Sequence, residues 1–384
     1  MTDSNLTTAK FERPLCCFIA EPLRKLRDWS IVNADEISRD EPKHPHTNIH
    51  LAERLQQCGA QVFFSNRTDS RISEIISWLS AWKFDVVLAY STMGAVLTRI
   101  LKINPGHRPA VVLIILSFPN PEGPKWRVSL RCAFIDKAVT KADAVICGLK
   151  ELAEIFVQRG LIDNVKVFYS PTGVDTDFYD PRLVRKYDSV EGLSGKSFIL
   201  LVGDSSRDDE FIYTALKECP IPLVRVTRDI SVINNVRGLM NERRGDCVLK
   251  WISFRQLRWL YVNCSVFITA SRWNTWQAAG STALTEAMAC GAICICNGGG
   301  CIEREWRSLA VDANIDCPVR FYRPFDAHSL RNALEQISTL TDKSRIELSL
   351  SAREMALRVF PVERSYSAIV EAVACVSKKH AGTK

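Results

Sequence analysis

Residues 269–300 read TASRWNTWQAAGSTALTEAMACGAICICNGGG, and this stretch decides the fold class. An apolar strand ends near Thr269, and the small residues around Gly280 open a helix that ends near Cys290. A second apolar run, residues 292–296, follows at once. A strand, a helix and a further strand in this order form a βαβ unit, in which the two strands lie parallel in one sheet.

The start of this helix has the chemistry of an anion site. Gly280, Ser281 and Thr282 are small, so the first backbone N–H groups of the helix are accessible, and the helix dipole is positive there. Glu286 lies one turn beyond Thr282, where its carboxylate can accept hydrogen bonds from vicinal hydroxyls, as an acidic residue does for a ribose. The same residues also fit an ordinary capped helix with a solvated glutamate.

The alternation of short apolar runs with helical stretches continues along the whole chain. Strands are predicted over residues 15–20, 61–64, 85–90, 110–116, 144–147 and 165–169, and again over 198–202, 223–226, 248–251, 266–269 and 292–296. Helices are predicted over residues 48–57, 72–82, 92–103, 126–140, 149–159, 210–217, 255–262, 283–290, 327–340, 343–359 and 362–376. This pattern predicts an α/β protein of two Rossmann-like, doubly wound parallel-sheet domains that face a central cleft.

A polar, charged segment, residues 181–196, separates the two sets of strands. We therefore expect an N-terminal domain over residues 1–185 and a C-terminal domain over residues 186–360. The last helix, within residues 361–384, is expected to cross back to the first domain.

Composition narrows the function classes. The 384 residues are 47% hydrophobic and carry a net charge of +7, which is too mild and too dispersed for a dedicated nucleic-acid binder. No apolar run approaches the roughly 20 residues that cross a bilayer, and residues 1–10 have no apolar core of a secretory signal, so we expect a cytoplasmic protein. The 14 cysteines include no CxxC pair, which favours free core thiols over zinc or disulfide sites.

Three segments together resemble the retaining glycosyltransferases of the family 4 type, which have the GT-B fold. AAGSTALTEAMACGAICI, residues 278–295, resembles the family's donor-binding helix. SPTGVDTDFYDP, residues 170–181, resembles the segment before its domain junction. LVGDSSRDDEFIYTAL, residues 201–216, resembles the strand, loop and helix that open its second domain. The chain thus resembles a divergent member of this family.

The resemblance implies transfer of a hexose from a nucleotide-diphosphate sugar to a hydroxyl acceptor, a glycan or lipid-linked saccharide, without a cofactor or metal. The residues expected to bind the donor are Gly203, Arg207, Arg228, Trp251, Gly280, Ser281, Thr282 and Glu286. Of these, Arg207 and Glu286 are expected to act in catalysis. On the acceptor side, the candidates lie in loops after predicted strands of the first domain: His44, His46, Ser117 and Asn120.

The sequence departs from the family pattern in three places. Ala278 replaces the first of two spaced glutamates, the loop after Gly203 has lost the family's lysine, and no histidine follows the fourth strand. Arg207 is the remaining phosphate cation, and the alternative is a salt bridge with Asp204 or Asp208. The alternatives are a non-catalytic GT-B protein that binds sugar nucleotides and another GT-B enzyme, such as a nucleotide-sugar epimerase.

The segment Lys125–Lys141, which contains the predicted helix at 126–140, is basic and amphipathic. Its basic residues are Lys125, Arg127, Arg131, Lys137 and Lys141. They stand against a single acid, Asp136. Such a helix fits a peripheral contact with an anionic membrane at its cytoplasmic face, and it also fits a packed helix with a solvated basic side.

Overall fold

The computed structural model describes residues 11, 15–22, 47–65, 83–90, 109–115, 124–203, 207–241, 244–250, 252–271 and 280–381. The predicted helices at 72–82 and 92–103 lie outside this range. The described residues form two compact units. The first contains the residues up to Pro171 together with those from Glu363 onward, and the second is Thr172–Val362.

The first unit is built on a parallel sheet. Its described strands are β1 (Leu15–Pro22), β2 (Ala60–Ser65), β3 (Val86–Ala89), β4 (Ala110–Ile115), β5 (Ala144–Cys147) and β6 (Val167–Tyr169). They lie in the order β2-β1-β3-β4-β5-β6, and every pairing is parallel. Strands β3, β4 and β5 are buried at every position, as apolar runs are when both faces of a parallel sheet are covered. The helices are α1 (Thr47–Gln57), α2 (Lys125–Lys141) and α3 (Lys150–Gln158).

The second unit repeats this architecture. Its described strands are β7 (Ile199–Val202), β8 (Leu223–Val226), β9 (Cys247–Leu249), β10 (Val266–Thr269), β11 (Cys294–Asn297) and β12 (Arg320–Tyr322). They lie in the order β12-β11-β10-β7-β8-β9, again all parallel. Its helices are α4 (Asp209–Ala215), α5 (Ile230–Arg237), α6 (Phe254–Asn263), α7 (Ser281–Ala289), α8 (Cys301–Asp312), α9 (Ala327–Ser338) and α10 (Asp342–Val359). The predicted doubly wound α/β class is therefore confirmed.

The last helix, α11 (Val362–Ala381), groups with the first unit from Glu363 onward. The Ser170 hydroxyl donates to the Ser365 carbonyl at 3.2 Å, and Val370 and Val373 of the helix are buried. Among the described residues, no helix is both long enough and apolar enough to span a membrane. All 14 cysteines are unpaired.

The segment that leads into the second unit packs against that unit through Arg258. This side chain on α6 is fully buried, and it donates to the carbonyl oxygens of Phe178 at 2.8 Å and Leu183 at 3.0 Å. Its guanidinium also lies 3.6 Å from the buried carboxylate of Asp188. These contacts explain why the compact second unit begins at Thr172, earlier than the junction that the sequence predicts near residue 185.

Replacing Arg258 with methionine should lower the free energy of unfolding by about 3–5 kcal/mol, because Asp188 would keep a buried charge without its partner. Arg358→Met is the matched control, since the ion pair of Arg358 with Glu354, at 2.9 Å, is half-exposed. We expect that control to lose at most about 1 kcal/mol. Urea unfolding followed by circular dichroism measures the free energy of unfolding of both variants. Equal losses would contradict the inference that the contacts of Arg258 stabilise the second unit.

Candidate functional site

In the second sheet, the chain order reverses beside β7. Strand β8 lies on one side of β7 and β10 on the other, so the carboxyl ends of β7 and β10 form a topological switch point. The structure brings the loops after these two strands together. The backbone of Arg207 pairs with that of Ser271, and the Asp208 N–H donates to the Ala270 carbonyl at 3.2 Å. Doubly wound sheets bind their ligands at such points.

The guanidinium of Arg207 is held between two glycines at this switch point. Its Nε donates to the Val202 carbonyl at 3.1 Å. Its Nη2 lies 2.5 Å from where a Cβ of residue 203 would stand, and its Nη1 lies 3.1 Å from the same point of residue 280. Gly203 and Gly280 also have positive φ angles, 132° and 99°. A side chain at either glycine would therefore be strained and would displace Arg207.

One nitrogen of this guanidinium has no hydrogen-bond partner among the described residues. Among the described residues, Arg207 Nη1 has no hydrogen-bond partner although it is shielded from solvent, and the same holds for the Thr269 hydroxyl. Burial, and secondarily the charge of Arg225, lower the pKa of Arg207 to about 10, so it remains charged at pH 7. A buried donor without a partner costs roughly 1–3 kcal/mol, which an anion at this point would offset.

The alternative salt bridge of Arg207 with Asp208 is not formed. The Asp208 carboxylate instead caps α4, where it accepts from the Phe211 N–H at 3.4 Å. Asp204, the other suggested partner, lies outside the described residues. The ion pair that the sequence pattern did not reveal joins Asp209 to the buried Arg225, at 2.7 and 3.1 Å. The predicted donor residue Arg228 lies half-buried in the loop after β8.

Helix α7 begins at this guanidinium without a capping side chain. Five helices of the second unit begin at a side chain that accepts from their first turn: Asp208, Asp229, Ser253, Asp326 and Thr341. At the start of α8, Glu303 accepts from the Gly299 N–H at 2.6 Å. Helix α7 starts at Gly280, which has no side chain to offer. Its first-turn N–H groups have no partner within the helix, and they lie beside the charge of Arg207.

The two hydroxyls of this helix start differ in their surroundings. Ser281 is buried, and its hydroxyl lies 2.9 Å from that of Thr172. Thr282 is exposed, and its carbonyl accepts from the Thr285 hydroxyl at 2.9 Å. Thr282 is therefore accessible to solvent, whereas the Ser281 hydroxyl is bound to Thr172 at the start of the second unit.

Glu286 lies one turn further, against two buried tyrosines. The Tyr261 hydroxyl donates to Glu286 Oε2 at 2.9 Å. Burial raises the pKa of Glu286 to about 7, and the hydroxyls of Tyr261 and Tyr179 partly oppose that rise. Burial, and secondarily the charge of Glu286, hold the pKa values of both tyrosines well above the usual range. Sequence reasoning missed both tyrosines, although Tyr179 lies in one of the three segments that carry the family resemblance.

Several predicted site residues lie outside the part of the chain that the structure describes. These are Trp251 of the donor set and the acceptor-side candidates His44, His46, Ser117 and Asn120. Their roles stay predictions. The residues that the structure brings together are Gly203, Arg207, Gly280 and Thr269, with Ser281, Thr282 and Glu286 along α7.

Solved structures of glycosyltransferases share this fold. Sucrose-phosphate synthase from Thermosynechococcus elongatus superimposes with a TM-score of 0.68 and 15% identity, covering 96% of this chain and 100% of that one. A glycosyltransferase from Rickettsia africae gives 0.64 and 14% identity, with 95% and 99% covered. HepE of Anabaena, solved in complex with UDP and glucose, gives 0.64 and 16% identity, with 94% and 99% covered.

By sequence, no protein-family model and no curated protein matches the chain. At these identities the structural matches establish the fold alone. The chain has two Rossmann-like α/β units of the GT-B type, as its sequence predicts.

Proposed function

We propose that this protein is a retaining glycosyltransferase of the family 4 type, which transfers a hexose from a nucleotide-diphosphate sugar to a hydroxyl acceptor. The observation that carries the proposal is the environment of Arg207. A charged guanidinium with one partnerless nitrogen lies against the uncapped N-terminus of α7, at the switch point of the sheet. A diphosphate satisfies both groups, because it offers several anionic oxygens to a planar fork of donors and to backbone N–H groups.

In this proposal, Arg207 and the first turn of α7 stabilise the charge that develops on the leaving diphosphate. Stabilising such charge with preorganised donors is usually the largest catalytic contribution. Arg207 is preorganised, since its Nε is bound to the Val202 carbonyl and two glycines leave it room. No cofactor or metal is required for this role.

Glu286 is suited to the ribose of the donor. One of its oxygens accepts from Tyr261, which fixes the orientation of the carboxylate. Arg228, after β8, is a second cation for the donor, and Trp251 is the candidate contact for the nucleobase. HepE, solved with UDP, supports UDP as the first nucleotide to test.

For the acceptor we propose a glycan or a lipid-linked saccharide at the cytoplasmic face of a membrane. The candidate acceptor contacts are the four residues that the sequence predicts, His44, His46, Ser117 and Asn120. Titration calorimetry with UDP, followed by an assay of sugar release from UDP-glucose with and without a saccharide acceptor, tests the proposal. Acceptor-dependent release is expected. Binding without release would favour the non-catalytic alternative, and conversion of the donor sugar without an acceptor would favour an epimerase.

Replacing Arg207 with alanine should weaken UDP binding by about one to two orders of magnitude, because charge-assisted hydrogen bonds contribute roughly 1.5–3 kcal/mol. The melting temperature should change little, since among the described residues Arg207 donates only to the Val202 carbonyl. Titration calorimetry and thermal unfolding measure the two effects. Arg237→Ala, at an exposed position of α5, is the control. A variant that melts earlier yet binds UDP normally would make Arg207 structural.

Glu286→Gln should weaken UDP binding above about pH 7, where the carboxylate is ionised and accepts most strongly. Near pH 5 the two proteins should bind alike. Stability follows the opposite course, because burial raises the pKa of Glu286 from 4.5 to about 7. The contribution of Glu286 to the free energy of unfolding is complete below its pKa in the unfolded chain and is lost as the pH rises through about 7. The glutamine variant shows no such loss of stability. Calorimetry from pH 5 to 8 measures UDP binding, and thermal unfolding over the same range measures stability. If the variant and the unsubstituted protein show parallel pH profiles, the carboxyl group of Glu286 has no part in either effect.

A metal chelator should leave transfer activity within about twofold. The only Asp-x-Asp pair after the first sheet, Asp175 and Asp177, is structural, because Asp175 Oδ1 accepts from the backbone N–H groups of Asp177 at 3.1 Å and Phe178 at 2.9 Å. In the part of the chain described, no three His, Cys, Asp or Glu side chains are grouped to hold a metal ion. Activity abolished by EDTA and restored by manganese would contradict this prediction.

A further inference from the structure

Helix α2, Lys125–Lys141, buries only a narrow stripe against the first unit. The buried residues are Ile135, Ala138 and Val139, all in its second half. Its first half presents two large apolar side chains to solvent, since Trp126 is 63% exposed and Leu130 is 58% exposed. These two residues are four apart and therefore lie on one face of the helix. An exposed tryptophan and leucine on one face are costly in water unless something covers them.

The same face is strongly basic. Lys137 and Lys141 continue the spacing of Trp126 and Leu130, so they lie on the same side of the helix. The exposed basic residues of the helix are Lys125, Arg127, Arg131, Lys137 and Lys141. The guanidinium of Arg127 lies 5.1 Å from the centre of the Trp126 ring, which keeps charge and ring together at the surface.

The one acid of the helix does not offset this charge. The Asp136 carboxylate is bound by Arg159, the residue after α3, at 2.5 and 3.0 Å. The ion pair neutralises Asp136, and the positive field of the helix remains. The arrangement is thus an apolar strip of Trp126 and Leu130 within a basic surface, on a helix packed on its opposite side.

We propose that this face of α2 docks the protein on an anionic membrane surface. Tryptophan is favoured at the depth of lipid headgroups, where its ring meets apolar chains and its N–H meets water. The lysines and arginines meet anionic headgroups, and their attraction fades within a Debye length of about 8 Å at physiological salt. A nucleic acid or other polyanion would engage the charges but would leave Trp126 and Leu130 uncovered. The membrane is therefore the partner that fits both parts of the face.

Co-sedimentation with vesicles tests the proposal on the full chain. Vesicles of phosphatidylcholine alone are compared with vesicles containing about a third phosphatidylglycerol, at 50 mM and 500 mM NaCl. We expect binding to the anionic vesicles at low salt, at least tenfold weaker binding at high salt, and no binding to neutral vesicles. Absence of binding to anionic vesicles at low salt would overturn the proposal.

Two double variants separate the parts of the face. Lys137→Glu with Lys141→Glu should weaken vesicle binding at least tenfold. Its control reverses two exposed lysines of the second unit, Lys196→Glu with Lys217→Glu, which changes the net charge equally. If test and control lose binding equally, the effect is one of net charge and the assignment to α2 is wrong.

Trp126→Ser with Leu130→Ser should weaken vesicle binding at both salt concentrations. If this variant keeps full binding while the charge variant loses it, the face is a general polyanion site and the membrane proposal fails. All substituted side chains are exposed, and unchanged melting temperatures confirm folding. Docking does not depend on the donor site, so Arg207→Ala should bind vesicles like the unsubstituted protein even if the glycosyltransferase proposal fails.

Discussion

Strand β10 pairs with β7 in parallel, Val266 beside Ile199 and Phe267 beside Leu200, although much of the second unit separates them along the chain. This pairing places two carboxyl ends side by side, and with them two loops that are distant in sequence. The backbone bridge between Arg207 and Ser271 follows from it. So does the approach of Arg207 to Gly280 at the start of α7. The environment of Arg207 depends on this pairing, because Arg207 and Gly280 lie in loops that are distant in sequence.

The second unit treats its buried arginines unequally. Arg225, Arg244 and Arg258 lie beside Asp209, Asp246 and Asp188 at 2.7, 2.6 and 3.6 Å. Arg207 makes no ion pair among the described residues, because the nearby carboxylate of Asp209 is bound to Arg225, and one nitrogen of Arg207 is partnerless. The unit thus pairs the arginines that hold its structure together and leaves Arg207 at the switch point without an ion pair of its own. A buried charge without such a pair is destabilising, so its presence is better explained by a ligand than by the fold.

The sequence predicts the fold well because long apolar runs need no tertiary information to be recognised. Strand β4, six buried residues in succession, is an example. The elements that sequence reasoning missed are α5, α8 and β12, and β12 is a three-residue strand at the edge of its sheet with one exposed end. So short an edge strand is defined by its neighbour β11 more than by its own residues.

The candidate site could be predicted only where its residues are close in sequence. Gly280, Thr282 and Glu286 are on one helix, and their spacing places them together. The pairing of Glu286 with Tyr261 and of Arg225 with Asp209 joins residues on different elements, and no local pattern encodes either contact. The same limit explains why the sequence places the domain junction too late. Arg258 binds the carbonyl of Leu183 from a helix 75 residues further along the chain, and no local pattern encodes that contact.

Helix α11 has a consequence for how the chain is made. It belongs to the first unit, yet residues 172–362 of the second unit lie between it and the rest of that unit. During synthesis the second unit has all of its residues outside the ribosome before the first unit has its last helix. Until then, the surface that α11 covers with Ile369, Val370 and Val373 is bare. The first unit of this protein is therefore the later one to finish folding.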